Sequence, residues 1–136
     1  MGIVISTSSE LESGAGFYGF SGAVACTTNN KTVILIQNTG YRDTLLEITV
    51  SGSTTLADLT TGSISSFTTY MNDQIIQTTR IATFDPNINN PSIATFSFFA
   101  PRHSQVKIDQ QDSDTTGSCT TMLRGYYMEP PVMQQD

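Results

Sequence analysis

Short apolar runs, separated by glycine, asparagine, aspartate and proline, follow one another along most of the chain. Residues 33–37 form an almost unbroken apolar run, which is typical of a strand buried on both faces. In the next segment Leu46, Ile48 and Val50 alternate with polar residues, so their side chains lie on one face of a strand. An Asn-Thr-Gly break separates the two segments. Residues 32–52 therefore predict a hairpin of two strands that are central in a sandwich.

The same kind of pattern predicts strands at residues 17–26, 80–84, 93–99, 106–108 and 120–127. Residues 63–79 are ambiguous, because apolar side chains recur at helical spacings while the surrounding Thr and Ser favour strands. We predict two strands there, with a short helix as the alternative. About eight short strands at near-regular spacing predict an all-β fold, a single antiparallel β-sandwich or jelly roll.

The two ends of the chain differ from this pattern. We expect residues 1–129 to form one β-sandwich domain, with residues 1–6 as a candidate N-terminal arm. Residues 130–136 should form an extended tail, because paired prolines cannot continue a strand. An opening strand or arm is favoured for the N-terminus over the N-myristoylation pattern that Gly2 and Ser6 fit. The candidate docking arms are Ile3, Val4, Ile5, Pro130, Pro131, Val132 and Met133.

The composition is polar but carries little charge. Only 13% of the 136 residues are charged, the net charge is −6, and the 38% of hydrophobic residues suffices for a core. The six lysines and arginines form no cluster, so we expect no nucleic-acid partner. No segment approaches the ~20 apolar residues of a membrane helix, and no basic region precedes the apolar N-terminal run. We therefore expect no membrane partner and no export.

Cysteine and histidine give little support for a catalytic or metal site. Cys26 and Cys119 are far apart and have no metal-ligand spacing. They form either one disulfide or two buried thiols, and thiols are favoured without a signal peptide. The only histidine, His103, has no accompanying nucleophile motif, so a turn histidine is favoured over a catalytic one.

Acidic and glycine-rich segments were the other candidates for ligand binding. Asp109, Asp112 and Asp114 fall in a predicted loop at residues 109–118, but their spacing misses the EF-hand pattern, so turn capping is favoured over calcium. The glycines of residues 14–22 lack the lysine of a phosphate loop and favour strand bulges or close backbone approach. We predict no catalytic residues, no metal site and no cofactor.

The tip between the two central strands carries Tyr41, Arg42 and Asp43. No nucleophile, base or metal-ligand set joins these residues in sequence. They are therefore predicted to be a candidate contact loop rather than a reactive one.

The layout of residues 31–129 resembles that of small β-sandwich proteins of tailed-phage virions. The segments that carry the resemblance are V-I-L-I-Q-N-T-G, L-L-E-I-T-V-S-G, A-P-R-H-S-Q-V-K-I and T-M-L-R-G-Y-Y-M-E, although Arg102 stands where that family has a glycine. The family includes head decoration (cement) proteins and tail-associated adaptors. The resemblance implies a non-enzymatic virion protein, most of all a capsid decoration subunit that binds and stabilises the assembled shell.

The resemblance also implies partners and a location. The partners would be the major capsid protein or other virion subunits, together with further copies of the chain in a homo-oligomer, a trimer above all. The location would be the virion, assembled in the host cytoplasm. The alternative is a glycan-binding or adhesin-type module that uses the five tyrosines, Tyr18, Tyr41, Tyr70, Tyr126 and Tyr127.

Overall fold

The computed structural model describes residues 3–6, 16–53, 64–83 and 93–128. This part of the chain contains nine strands and no helix that is long and apolar enough to cross a membrane. The strands are β1 (Ile3–Ser6), β2 (Gly16–Ala25), β3 (Lys31–Asn38), β4 (Thr44–Ser53), β5 (Ile64–Met71), β6 (Gln74–Ala82), β7 (Ile93–Ala100), β8 (Val106–Asp112) and β9 (Ser118–Tyr127).

The strands form two sheets. One has five strands in the order β1-β3-β8-β5-β6, and the other has four in the order β2-β9-β4-β7. β1 runs parallel to β3, and the other neighbouring pairs are antiparallel. From β2 onward the chain changes sheet at each connection except between β5 and β6. Apart from β1 this is the strand order of an eight-stranded jelly roll. The predicted fold class, an all-β sandwich or jelly roll, is confirmed.

The predicted hairpin of residues 32–52 is wrong in its pairing. β3 and β4 lie in different sheets, although each is an interior strand as predicted. The physical reason is that the Asn-Thr-Gly segment between them hydrogen-bonds to the distant turn between β7 and β8 instead of forming a tight turn that would pair β3 with β4. The Thr39 N–H donates to the Ser104 carbonyl at 2.9 Å, and the His103 N–H donates to the Gly40 carbonyl at 2.9 Å. The tip thus crosses from one sheet to the other along the turn between β7 and β8.

The described residues 64–79 form β5 and most of β6, so the prediction of two strands is confirmed there. The strand predicted separately at residues 80–84 is not a further strand, because residues 80–82 continue β6. The turn between them is made by Asn72 and Asp73, both with positive φ, at 50° and 68°. That geometry is typical of the two-residue turns that match the twist of a β-hairpin. β5 is an interior strand with Phe67 fully buried, whereas β6 is an edge strand on which Ile75 is exposed.

The predicted loop at residues 109–118 begins too early. β8 continues to Asp112, because β5 and β3 flank it and pair with its polar half. Gln110, for example, lies opposite Phe67 of β5 on one side and Lys31 of β3 on the other. Polar side chains usually mark loops, and here a strand carries them into the interior. Asp109, Gln110 and Asp112 are all buried.

The core lies between the two sheets, and its side chains come from the inward positions of both. Close backbone approach accounts for one of the glycines of β2, as predicted: a Cβ atom on Gly16 would collide with the carbonyl of Gly125. Gly22, at φ 73°, lies in a bulge between Phe20 and Ala23. The buried apolar side chains are Val24, Cys26, Val33, Ile34, Ile36, Leu46, Ile48, Val50, Phe67, Ile81, Ala100, Val106, Ile108, Cys119 and Leu123.

Candidate functional site

The structure places one of the two candidate docking arms. The backbone of Ile3, Val4 and Ile5 forms β1, which adds to the five-stranded sheet alongside β3. The second arm, Pro130, Pro131, Val132 and Met133, lies outside the described residues. The roles of both arms therefore stay predictions.

The candidate contact loop is held firmly against its neighbours. The Tyr41 ring is 64% exposed and meets the His103 imidazole edge-on, with centroids 5.9 Å apart. An Asp43 carboxylate oxygen accepts the Arg102 N–H at 3.0 Å and lies 3.8 Å from Nε of the same arginine. The Arg42 guanidinium lies over the Tyr127 ring, 5.6 Å from its centroid. The loop thus presents an ordered tyrosine at one end of the domain.

His103 has no catalytic geometry with its neighbour in sequence. It is exposed and has a positive φ of 60°, whereas Ser104 is buried and its N–H donates to Thr39 Oγ1 at 3.0 Å. The structure therefore shows a turn histidine, which is the interpretation that the sequence favoured.

A larger feature lies on the side of the four-stranded sheet that faces away from the core. We call it the outer sheet face. Its cross-strand rows follow from the register of β2, β9, β4 and β7. Tyr18 is 70% exposed, Ile93 68% and Phe99 61%. The residues of the outer sheet face are Tyr18, Phe20, Leu45, Glu47, Thr49, Ile93, Phe99, Met122, Arg124 and Tyr126.

Opposite charges lie at the middle of this face. Glu47 on β4 is directly opposite Arg124 on β9, and Tyr18 on β2 is opposite Arg124 on its other side. The Arg124 guanidinium donates to the Tyr126 hydroxyl at 2.9 Å, and this bond raises the pKa of Arg124. Apolar side chains flank the charged row on both sides, with Phe20 and Met122 side by side in the next row.

Two shallow depressions lie on either side of the row. One, of about 240 Å³, is lined by Glu47, Thr49, Met122 and Arg124 together with the Tyr18 ring. The other, of about 370 Å³, shares Tyr18 and Arg124 and is lined also by Tyr126. The arrangement offers an aromatic ring, a carboxylate and a guanidinium within one surface region. It suits the binding of a polar ligand or a flat protein contact.

Sequence reasoning missed the outer sheet face, although a signal for it was present. In a strand of a two-layered fold, apolar residues belong on the core face alone. β7 carries the half-buried Phe96 and Phe98 on one face and the exposed Ile93 and Phe99 on the other. Apolar residues on both faces of an edge strand therefore indicated a second apolar surface.

A cluster of buried polar side chains lies between the sheets at one end of the core. The Asp112 carboxylate accepts the Thr27 N–H at 2.8 Å, Lys31 Nζ at 3.0 Å and Gln110 Nε2 at 3.1 Å. Burial alone would raise the pKa of Asp112. Hydrogen bonds from Ser65, Thr27, Lys31 and Gln110 together outweigh that effect, so the pKa lies below its ordinary value.

The two cysteines meet in the same cluster. Cys119 Sγ lies 3.1 Å from Ser65 Oγ, and Cys26 Sγ lies 3.8 Å from the same oxygen. Both are buried thiols, the alternative that the sequence favoured. The pKa of the Cys119 thiol is raised, mainly by its hydrogen bond to Cys26 and secondly by burial. The two sulfurs and a carboxylate oxygen of Asp112 all lie within 4.8 Å of one another.

The three aspartates considered for calcium do not converge. Asp109 points away from Asp112, because the two are three positions apart along β8 and alternate positions of a strand face opposite sides. Its carboxylate accepts bonds from Asn30 Nδ2 at 2.8 Å and Thr32 Oγ1 at 2.7 Å. Asp114 is exposed in the loop after β8, where its carboxylate accepts the Thr115 N–H.

Known proteins resemble this chain in structure but not detectably in sequence. No protein-family model and no curated protein matches the sequence. A chain of the T13 IBDV viral particle is similar with a TM-score of 0.46 and 10% identity, over 84% of this chain and 32% of that one. Dimeric latent PorU from Porphyromonas gingivalis is similar with a TM-score of 0.42 and 9% identity, over 79% of this chain and 10% of that one. This chain thus spans about a third and a tenth of those two chains, and likenesses this distant concern only the fold.

Proposed function

We propose that the protein is a non-enzymatic structural subunit of a virion, most simply a capsid decoration or cement subunit that binds and stabilises the assembled shell. The observation that carries the proposal is the outer sheet face, an extended apolar and aromatic surface on the folded domain. Large exposed apolar patches mark interaction sites, and here such side chains flank the central Glu47–Arg124 row on both sides. Jelly rolls occur in viral capsid and lectin domains, so the fold is compatible with this role without specifying it.

The chemistry of the outer sheet face suits contact with protein. Apolar area removed from water contributes about 25 cal/mol per Å², and a stable interface buries about 800 Å² on each partner. Many weak contacts on a repetitive shell add up through multivalency. The partners of the proposal are the major capsid protein or another virion subunit, and further copies of the chain in a homo-oligomer, a trimer above all. Nucleic acid is not a partner in it, since the net charge is −6.

Co-sedimentation tests the proposal. Purified protein is mixed with undecorated shells of the major capsid protein encoded nearest to it, and the pellet is assayed for bound chain. We expect saturable binding that Phe20→Ser and Phe99→Ser reduce at least tenfold. Ile75→Ser, an exposed apolar residue of the opposite sheet, is the matched control and should bind normally. Failure of the wild-type chain to pellet with the shells would reject the role.

Glycan binding is the second candidate, and the depression beside Tyr18 favours it. An exposed aromatic ring next to a carboxylate, a hydroxyl and a guanidinium, here Tyr18, Glu47, Thr49 and Arg124, can stack on a sugar and bond its hydroxyls. A glycan array, run with and without calcium, distinguishes the two functions. A glycan signal that Tyr18→Ala removes and Tyr41→Ala keeps would support the second candidate, whereas a blank array would reject it.

A further inference from the structure

Four potential ligand atoms from four separate strands or strand ends converge in the buried polar cluster. They are the thiol sulfurs of Cys26, just after β2, and of Cys119 on β9, the Asp112 carboxylate on β8 and the Ser65 hydroxyl on β5. The Ser65 oxygen lies 3.1 Å and 3.8 Å from the two sulfurs and hydrogen-bonds to Asp112. The four residues are at most 3% exposed.

The spacing of these atoms fits a tetrahedral metal ion. Zn–S bonds of about 2.3 Å and Zn–O bonds of about 2.0 Å place neighbouring ligand atoms roughly 3.3–3.8 Å apart. The two sulfurs and the carboxylate oxygen lie within 4.8 Å of one another, so side-chain shifts of an ångström or less close the set. A soft divalent ion with a tetrahedral preference matches two sulfurs and two oxygens better than calcium or magnesium does.

The charges of the cluster also suit a divalent cation. Two thiolates and one carboxylate carry three negative charges, which a divalent ion and the Lys31 ammonium would balance. Lys31 Nζ and Gln110 Nε2 already bond the Asp112 carboxylate, at 3.0 Å and 3.1 Å. Outer partners of this kind fix the orientation of a ligating carboxylate.

A disulfide between the same cysteines fits the strand register less well. Cys119 lies directly opposite Val24, so Cys26 is two positions further along the ladder. Such diagonal neighbours have α-carbons about 7–8 Å apart, whereas a disulfide usually needs less than about 6.8 Å. A metal ion bridges two sulfurs without that constraint.

We propose that Cys26, Cys119 and Asp112 bind one zinc-class divalent cation between the two sheets, with the Ser65 hydroxyl as the fourth ligand. Binding would release the two thiol protons and link strands of both sheets at one end of the core. This site is independent of the proposed virion role, because none of its residues belongs to the outer sheet face.

Cobalt titration of the reduced, chelator-treated protein tests the site. We expect one equivalent of Co²⁺ to give thiolate-to-cobalt charge-transfer absorption with the intense visible bands of a tetrahedral ion, and Zn²⁺ to remove both. Cys119→Ser, Cys26→Ser and Asp112→Asn should each weaken binding at least 100-fold. Lys31→Met should weaken it 10- to 100-fold, as loss of an outer partner does. Asp114→Asn, exposed in the following loop, is the control that should bind normally.

Three results would overturn the proposal. The first is the absence of a charge-transfer band when the wild-type protein is folded and both of its thiols are titratable. The second is metal binding that none of the ligand substitutions weakens. The third is a Cys26–Cys119 disulfide in protein isolated with its thiols blocked at lysis. Circular dichroism shows which variants fold, and having two cysteine variants keeps the test valid if one of them does not.

Discussion

Lys31 Nζ lies 3.0 Å from a carboxylate oxygen of Asp112, whose side chain has no exposed surface. The lysine is at the start of β3 and the aspartate at the end of β8, so the pair joins two neighbouring strands where the sheet ends. The Thr27 N–H and the Gln110 amide bond the same carboxylate. A buried carboxylate of this kind depends on all of its donors, because each loss leaves charge without compensation.

Lys31→Met should therefore destabilise the metal-free protein strongly. It removes the cation but leaves the buried carboxylate, and breaking a buried pair in this way costs about 3–5 kcal/mol. Urea unfolding with a chelator present measures the change. Arg102→Met is the control, because the Arg102–Asp43 pair is 3.8 Å long and both of its side chains are more than half exposed. That change should cost under ~1 kcal/mol, and equal losses from the two variants would contradict the assignment.

The lowered pKa of Asp112 predicts acid sensitivity. Because the folded pKa lies below the unfolded value of about 3.8, the carboxylate stabilises the fold above that value, and the contribution is lost as pH falls through the folded pKa. The other titratable groups that face this carboxylate are Lys31, Cys26 and Cys119. The wild type should lose stability more steeply below about pH 4 than Asp112→Asn does. Melting temperatures of both chelator-treated proteins between about pH 2 and 6 measure this, and parallel curves would contradict the prediction.

The sequence predicted which residues form strands better than it predicted which strands pair. Alternation and β-branched residues locate β4 and β9 almost to their ends, because those signals are local. Pairing is not local: β4 pairs with β9 and β7, and the tip after β3 bonds to Ser104. An Asn-Thr-Gly break looks the same whether the chain turns back within one sheet or crosses to the other.

The buried cluster was hidden from the sequence for the same reason. Cys26, Ser65, Asp112 and Cys119 have no motif spacing, since four different strands or strand ends carry them to one place. Asp112 also falls in a segment whose polar residues predict a loop. Only the pairing of β8 with β5, which sets Asp112 opposite Ser65, turns that carboxylate inward.

Asp73→Gly should stabilise the protein. Asp73 has φ 68° in the two-residue turn between β5 and β6, where glycine avoids the steric cost that a Cβ atom brings. The left-handed conformation costs a non-glycine residue roughly 1–2 kcal/mol, and the entropy lost by glycine offsets about 0.5–1 kcal/mol of that, so we expect a net gain of about 0.5–1 kcal/mol in unfolding free energy. Asn72→Gly is the matched comparison. It relieves a similar steric cost of the backbone, but it also loses the 2.9 Å hydrogen bond from the Gln105 N–H to Asn72 Oδ1, so its gain in unfolding free energy should be smaller. A larger gain at position 72 than at position 73 would refute this explanation of the turn.

Gly125→Ala should destabilise the domain. An added Cβ would lie 2.4–2.8 Å from three ring atoms of Phe17, whose ring also packs against Tyr127 at 5.7 Å. Overpacking of this kind costs about 1–3 kcal/mol. The double variant Gly125→Ala with Phe17→Leu should recover part of the lost unfolding free energy. The measurement compares the unfolding free energies of Gly125→Ala, of the double variant and of Phe17→Leu alone. No recovery would mean that the clash lies in the backbone rather than with the ring.

Substitutions on the outer sheet face should separate folding from association. Phe20 and Phe99 are 53% and 61% exposed, so their replacement by serine removes little buried area and should change stability by no more than about 0.5 kcal/mol. If the face is a protein contact, the same variants should lose self-association or shell binding at least tenfold. Sedimentation equilibrium and co-sedimentation measure association, and thermal melts measure folding. Phe67→Ser, which alters a fully buried ring, is the opposite control and should unfold the domain. Unchanged association in Phe20→Ser and Phe99→Ser would exclude the outer sheet face as the contact surface.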